Sequence, residues 1–215
     1  MKKQTLLALL LAAVSMPVFA GAGIEGHVST LGYGLGLELQ TTDTVVTRLG
    51  FNKWDRNFTT SSGSLNLDGK LKLSSADLLF DWHLFSGATH LTVGMLSNSN
   101  KIAVTAVPGA GGTYTINGTT YTSAQIGTLS GEVTFNKTAP YLGFGWSSQP
   151  KNKGFMFNSD FGIMFQGSPK AKLSYTGTQN ATISNQVAAE EANLNSKLSS
   201  YKRYPVISFA IGYAF

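Results

Sequence analysis

Pro205-Val206-Ile207-Ser208-Phe209-Ala210-Ile211-Gly212-Tyr213-Ala214-Phe215 is the last stretch of the chain. Ile207, Phe209, Ile211, Tyr213 and Phe215 fall on one face of a strand, and Ser208, Ala210, Gly212 and Ala214 on the other. Successive side chains of a strand point to opposite sides, so the alternation reads as β with two unlike faces. The large apolar set suits lipid. The small set suits the crowded inside of a narrow barrel. An edge strand of a soluble sandwich is the competing reading, and the rest of the chain weighs against it.

Six further segments alternate in the same way. Residues 31–40 set Leu31, Tyr33, Leu35, Leu37 and Leu39 against Gly32, Gly34, Gly36 and Glu38. Residues 44–52 set Val45, Leu49 and Phe51 against Arg48, Gly50 and Asn52. Residues 70–82 set Ala76, Leu78, Phe80 and Trp82 against Ser75, Asp77, Leu79 and Asp81. Residues 90–98, 138–146 and 155–166 repeat the pattern, with Pro140 expected near a strand end or bulge. The connections 41–43, 83–88 and 147–153 are short; 53–69, 99–137 and 167–203 are long. Short turns at one end and long loops at the other are the mark of a membrane barrel. Strands descending to the short side end in an outward aromatic: Trp82, Trp146 and Tyr213 form the expected periplasmic girdle. Barrels of this kind have even strand counts, so an eighth strand is expected at 22–30, turning near Thr30. The fold class is therefore all-β, a transmembrane antiparallel up-and-down barrel of eight strands.

The N-terminus is read as a cleaved signal peptide, residues 1–20. Lys2 and Lys3 precede an apolar run from Leu6 to Val14, too short to span a bilayer, and Val18-Phe19-Ala20 fits a small-residue cleavage site. The barrel domain is then 21–215, about 195 residues and enough for one domain. Only 13% of residues are charged, against about 25% in a typical soluble domain. No other apolar stretch is long enough for a spanning helix, which leaves the closed barrel as the way to satisfy backbone groups in lipid. Cysteine is absent, so no disulfide is involved. The formal charge of +5, about +3 without the leader, is too mild to imply nucleic acid.

Two charge sets follow from the phasing. Glu38, Asp77, Asp81 and Asp160 face inward, with Arg48 as the inward cation. In the structural reading, Arg48 pairs with carboxylates and helps to plug the barrel, since side chains nearly fill an eight-stranded interior. In the functional reading, surplus acid attracts cationic solutes. Both stand open. Lys53, Arg56, Lys70, Lys72, Lys101, Lys137, Lys170, Lys172, Lys202 and Arg203 lie near the outer ends and loops. They are either solvated loop charge or contacts to the phosphates of lipopolysaccharide. Residues 114–121 read as a small hairpin with an Asn-Gly turn. Residues 186–198 have helical spacing, as a lid over the mouth or as a solvated segment.

An enzyme is the competing class. Nucleophilic hydrolysis needs a base within reach of the nucleophile, and the histidines are read as accompanied by neither a His-X-Ser nor a Gly-X-Ser-X-Gly signature. His27, His83 and His90 read as interfacial or lumen-lining residues. No catalytic residue, cofactor or metal site is expected.

Tyr114-Thr115-Ile116-Asn117-Gly118-Thr119-Thr120-Tyr121 is followed by Lys137-Thr138-Ala139-Pro140-Tyr141-Leu142-Gly143-Phe144-Gly145-Trp146 and by Gly167-Ser168-Pro169-Lys170-Ala171-Lys172-Leu173. Glu190-Glu191-Ala192-Asn193 and Tyr204-Pro205-Val206 come after them. In order and spacing these stretches resemble the CarO-type outer-membrane proteins, the carbapenem-susceptibility-associated porin family of Gram-negative bacteria. The terminal aromatic Phe215 resembles the insertion signal read by the barrel-insertion machinery. The resemblance implies a monomeric eight-stranded barrel in the outer membrane. It also implies passive uptake of small solutes, ornithine and other basic amino acids among them, with some link to carbapenem entry. The alternative is a closed barrel with a surface-binding or envelope-structural role through its loops.

Overall fold

The structure, a computed structural model, describes residues 21–62, 65–84, 87–108, 112–148 and 153–215. The expected signal peptide, 1–20, and parts of the turns at 83–88 and 147–153 lie outside those residues. Strand β1, Ala22–Ser29, is the expected eighth strand. A tight turn at Thr30-Leu31 sends the chain back as β2, Gly32–Gln40. Gly32 takes φ 117° there, a conformation glycine adopts at no steric cost. β3, Val45–Ser62, β4, Leu65–His83, and β5, Thr89–Asn98, follow.

β6, Lys101–Val107, β7, Thr113–Ile116, β8, Thr119–Thr122, α1, Ser123–Ile126, and β9, Leu129–Thr134, come next. β10, Thr138–Ser148, β11, Gly154–Met164, β12, Lys170–Tyr175, α2, Ala181–Leu198, and β13, Tyr204–Ala214, complete the chain.

Eight of these strands close a ring. Neighbours run β1-β2-β3-β4-β5-β10-β11-β13, and β13 pairs with β1 through Gly23↔Ala214 to Ser29↔Ser208. Every pairing is antiparallel. Ile24, Leu35, Phe51, Phe80, Val93, Phe144, Phe157 and Ile211 all point outward and are exposed. Such a belt has no partner within the chain, and closure leaves no strand edge in it. These are the two properties a strand-built membrane span requires. Among the described residues no helix is long and apolar enough to cross a membrane.

The three long connections carry regular structure of their own among the described residues. Residues 53–69 are the upper part of one hairpin, because β3 and β4 stay paired from Val45↔Trp82 to Ser62↔Leu65. Within 99–137 and 167–203 lie β6, β9 and β12, and they continue the barrel wall. β4 passes from β5 to β6, and the β5–β10 and β10–β11 pairings continue upward as β6–β9 and β9–β12. Five barrel strands thus carry a curved wall out past the rim.

The concave side of that wall carries Leu67, Ala106, Leu129, Leu173 and Tyr175. Tyr114, Ile116 and Tyr121 of the β7–β8 hairpin, Ile126 of α1, and Ile183 and Val187 of α2 close a second core over it. α2 also covers the free edge of β12. Glu191 Oε2 accepts from Leu173 N (2.8 Å), Asn195 Oδ1 accepts from Ala171 N (2.9 Å), and Asn195 Nδ2 donates to Ala171 O (3.0 Å). An exposed strand edge would otherwise pair with other chains. Asn117, at the Asn-Gly tip of the expected hairpin, donates to Gln186 Oε1 (2.8 Å) and accepts from Asn193 Nδ2 (3.2 Å). The helix of the 186–198 reading is therefore a clamped cap that begins earlier, at Ala181.

Candidate functional site

The lumen is layered. In its middle Arg48 reaches across from β3. Its Nε lies 2.6 Å from Asp81 Oδ2, Nη2 donates to Asp81 Oδ1 at 2.9 Å, and Nη1 lies 2.8 Å from Asp160 Oδ2. Thr92 Oγ donates to Asp81 Oδ1 (2.8 Å) and Asp160 Oδ1 (3.0 Å). His90 Nε2 sits 3.3 Å from Asp160 Oδ1. All five residues are buried. A planar guanidinium between two carboxylates, with a hydroxyl donating to both, is a charge-assisted network that crosses the barrel from β3 to β11.

Toward the outer end lies a second chain of contacts. Glu25 Oε1 is 3.5 Å from His27 Nδ1, His27 Nε2 is 3.0 Å from Asn52 Oδ1, and Asn52 Nδ2 donates to Asp77 Oδ2 at 2.8 Å. Glu38, nearer the turn side than Gly36 on β2, accepts from Asn158 Nδ2 at 3.4 Å. Above these an apolar layer of Leu31, Leu79, Leu96, Ala139, Tyr141, Met164 and Val206 fills the mouth. The space left between the two groups is a cavity of about 40 Å³.

Room for these large inward side chains comes from glycines on the adjacent strand. Glu25 stands opposite Gly36, His27 opposite Gly34, Asp77 opposite Gly50 and His90 opposite Gly145. A Cβ at Gly145 would lie 2.7 Å from His90 Nε2, and one at Gly36 would lie 2.8 Å from Glu25 Oε1. The glycine faces seen in the sequence are thus the counter-shape of the charged faces.

The structure places Glu38, Arg48, Asp77, Asp81 and Asp160 all in the lumen. It brings Arg48, Asp81 and Asp160 into one cluster, and sets Asp77 and Glu38 apart on Asn52 and Asn158. Trp82, Trp146 and Tyr213 lie outside the barrel at its turn-side end, and Phe215 is exposed beside Tyr213 with ring centroids 5.7 Å apart. Sequence reasoning read His27 and His90 only as interfacial or lumen-lining, and left Glu25, Thr92 and Asn158 off the candidate list. Their signal was the alternation itself: His90 and Thr92 share the inward parity of Gly94, and Glu25 and His27 follow once β1 is granted.

His27-Val28-Ser29 is a His-X-Ser step, the kind of spacing a strand-borne hydrolase would use, and the sequence reading passed over it. In the fold Ser29 Oγ donates to Gly32 O (3.2 Å) and Asn52 Oδ1 (3.3 Å), and Asn52 stands against His27 Nε2. Ser29 therefore spends its proton on neighbours other than the imidazole, and that base–nucleophile contact is not made. Asp81, His90 and Asp160 bring donor atoms within 4.8 Å of one another, a set suited to a divalent ion. The Arg48 guanidinium already bridges both carboxylates, so the charge such an ion would supply is present.

Crystal structures of Acinetobacter baumannii CarO2 and CarO superpose with TM-scores of 0.59 and 0.56. The chain shares its fold with CarO. The match to CarO2 covers 90% of this chain and 98% of that one at 21% identity. The match to CarO covers 93% and 98% at 22% identity. No family model matches the sequence, and no curated protein matches it significantly. The likeness to CarO, at this identity, is one of fold.

Proposed function

We propose that this chain is an outer-membrane barrel that keeps its lumen shut and acts at the cell surface, through the capped module its strands carry out of the membrane. The observation that carries this reading is the Arg48–Asp81–Asp160 bridge, which spans the bore beneath an apolar layer. The cavity between them, about 40 Å³, has room for a water or two and none for an amino acid. The fold-level likeness to CarO supports the membrane assignment, and the exposed apolar belt supports it independently.

A second reading rests on a specific observation. Five carboxylates face the lumen, Glu25, Glu38, Asp77, Asp81 and Asp160, against one guanidinium. That surplus favours a basic solute such as ornithine, provided Arg48 swings aside. Liposomes carrying the refolded mature protein separate the two readings. Uptake of ornithine, glutamate and a neutral amino acid is expected to match that of empty liposomes. Ornithine entering ahead of glutamate would overturn the closed-barrel reading. Lumen acids would then be implicated if neutralising Asp77, Asp81 and Asp160 slowed ornithine more than the neutral solute.

A further inference from the structure

The convex face of the extended wall carries a different pattern from the concave one. Cross-strand partners share a face, so register alone assigns it. One row reads Lys72, Lys101, Thr134, Lys170 across β4, β6, β9 and β12. The row above reads Lys70, Ala103, Glu132, Lys172. Lys53, opposite Ser74 on β3, stands one step below. The acids on this face are Asp55, opposite Lys72, Asp68, which accepts from Thr59 Oγ, and Glu132, which pairs with Lys101 at 2.8 Å. Among the described residues Lys53, Lys70, Lys72, Lys170 and Lys172 are exposed and make no ion pair. Lys72 stands directly opposite Lys101, and like charges in register destabilise a sheet. Glu132 and Asp55 offset part of that repulsion, and the lysines that remain without an ion pair leave the face positive, which suits an anion from outside the chain.

Height decides which anion. Lys72 precedes Trp82 on β4 by about 34 Å of strand, or about 26 Å along the axis at the usual tilt. The apolar band of such barrels is about 25 Å tall. With Trp82 at the inner interface, the lower lysine row stands at the outer one, directly above the exposed Phe51 and Met95. This face continues the lipid-facing surface of the same strands.

We infer that the convex lysine rows of β4, β6 and β12 bind the phosphates of outer-leaflet lipopolysaccharide. Strands three places apart set Lys70 and Lys172 about 14 Å from each other, so the rows span more than one phosphate and favour a multiply phosphorylated headgroup. The rows anchor the extended wall to the leaflet. This inference stands whether the lumen conducts or not.

The test uses the mature chain refolded in detergent micelles, and reads the temperature at which its heat-modifiable gel band is lost. Purified lipopolysaccharide is expected to raise that temperature. The same lipopolysaccharide after dephosphorylation is expected not to, nor is inorganic phosphate at equal phosphate concentration. The combined variant Lys70→Gln, Lys72→Gln, Lys170→Gln, Lys172→Gln is expected to bind about tenfold more weakly or worse. Lys197→Gln, on the helix that closes the concave side, is expected to bind as the parent does. Unchanged binding by the fourfold variant overturns the inference. So does an equal shift from dephosphorylated lipid or from free phosphate. The lipid and phosphate arms use the unmodified protein, so they decide the matter even if the variant does not fold.

Discussion

Arg48 is the residue on which the interior turns. A guanidinium held between Asp81 and Asp160 leaves water only because both carboxylates and their partners meet it. Removing one member of such a set leaves charge uncompensated, at about 3–5 kcal/mol. Arg48→Met is expected to lose about that much stability in urea unfolding followed by heat-modifiable mobility. Adding Asp81→Asn and Asp160→Asn is expected to recover most of it, since replacing a whole buried ion set is often neutral. A single variant as stable as the parent would show that water reaches the cluster. Arg48 and its two carboxylates were legible as inward residues from parity alone. Their meeting was not, because parity gives the face of a residue and not its height. Thr92 and His90 were legible by the same parity, but carried no net charge to draw the eye. Glu25 depended on β1, a strand with two internal glycines and little apolar contrast.

At the scale of elements, what the sequence revealed and what it hid have one physical cause. Alternation is strong where one face meets lipid, as in β10 or β13. Above the rim the wall leaves the apolar belt, and β6, β9 and β12 bring lysine, serine and threonine to the outside. Their short inner sets, such as Ile102, Val104 and Ala106, read as loop. The top of β3, Asn57-Phe58-Thr59-Thr60, has no contrast at all, yet its pairing to β4 is unbroken. The cap has its own core and its own edge cover, so it is expected to open apart from the barrel. Ile183 is 1% exposed within that core. Ile183→Asp would bury an unpaired carboxylate, which costs several kcal/mol. Limited proteolysis is expected to cut this variant between 99 and 137 while its heat-modifiable mobility stays that of the parent. Loss of both together would mean that cap and barrel are one cooperative unit.

For the whole molecule, the topology of the extended wall has a consequence in time. β6, β9 and β12 are far apart in sequence and meet only because β5, β10 and β11 already stand side by side. None of the three can find its neighbour until the ring beneath has set the spacing, and α2 has no edge to cover until β12 is in place. Closing such distant contacts in a free chain is slow and entropically costly. Assembly is therefore expected to run upward from the closed ring, with the helix last. In refolding followed by gel mobility and by protease resistance of the cap, resistance is expected to trail mobility at every time point. A protected cap on an unclosed barrel would reverse that order. The finished cap is in this sense a receipt for the barrel: a docked helix is expected only on chains whose ring has closed.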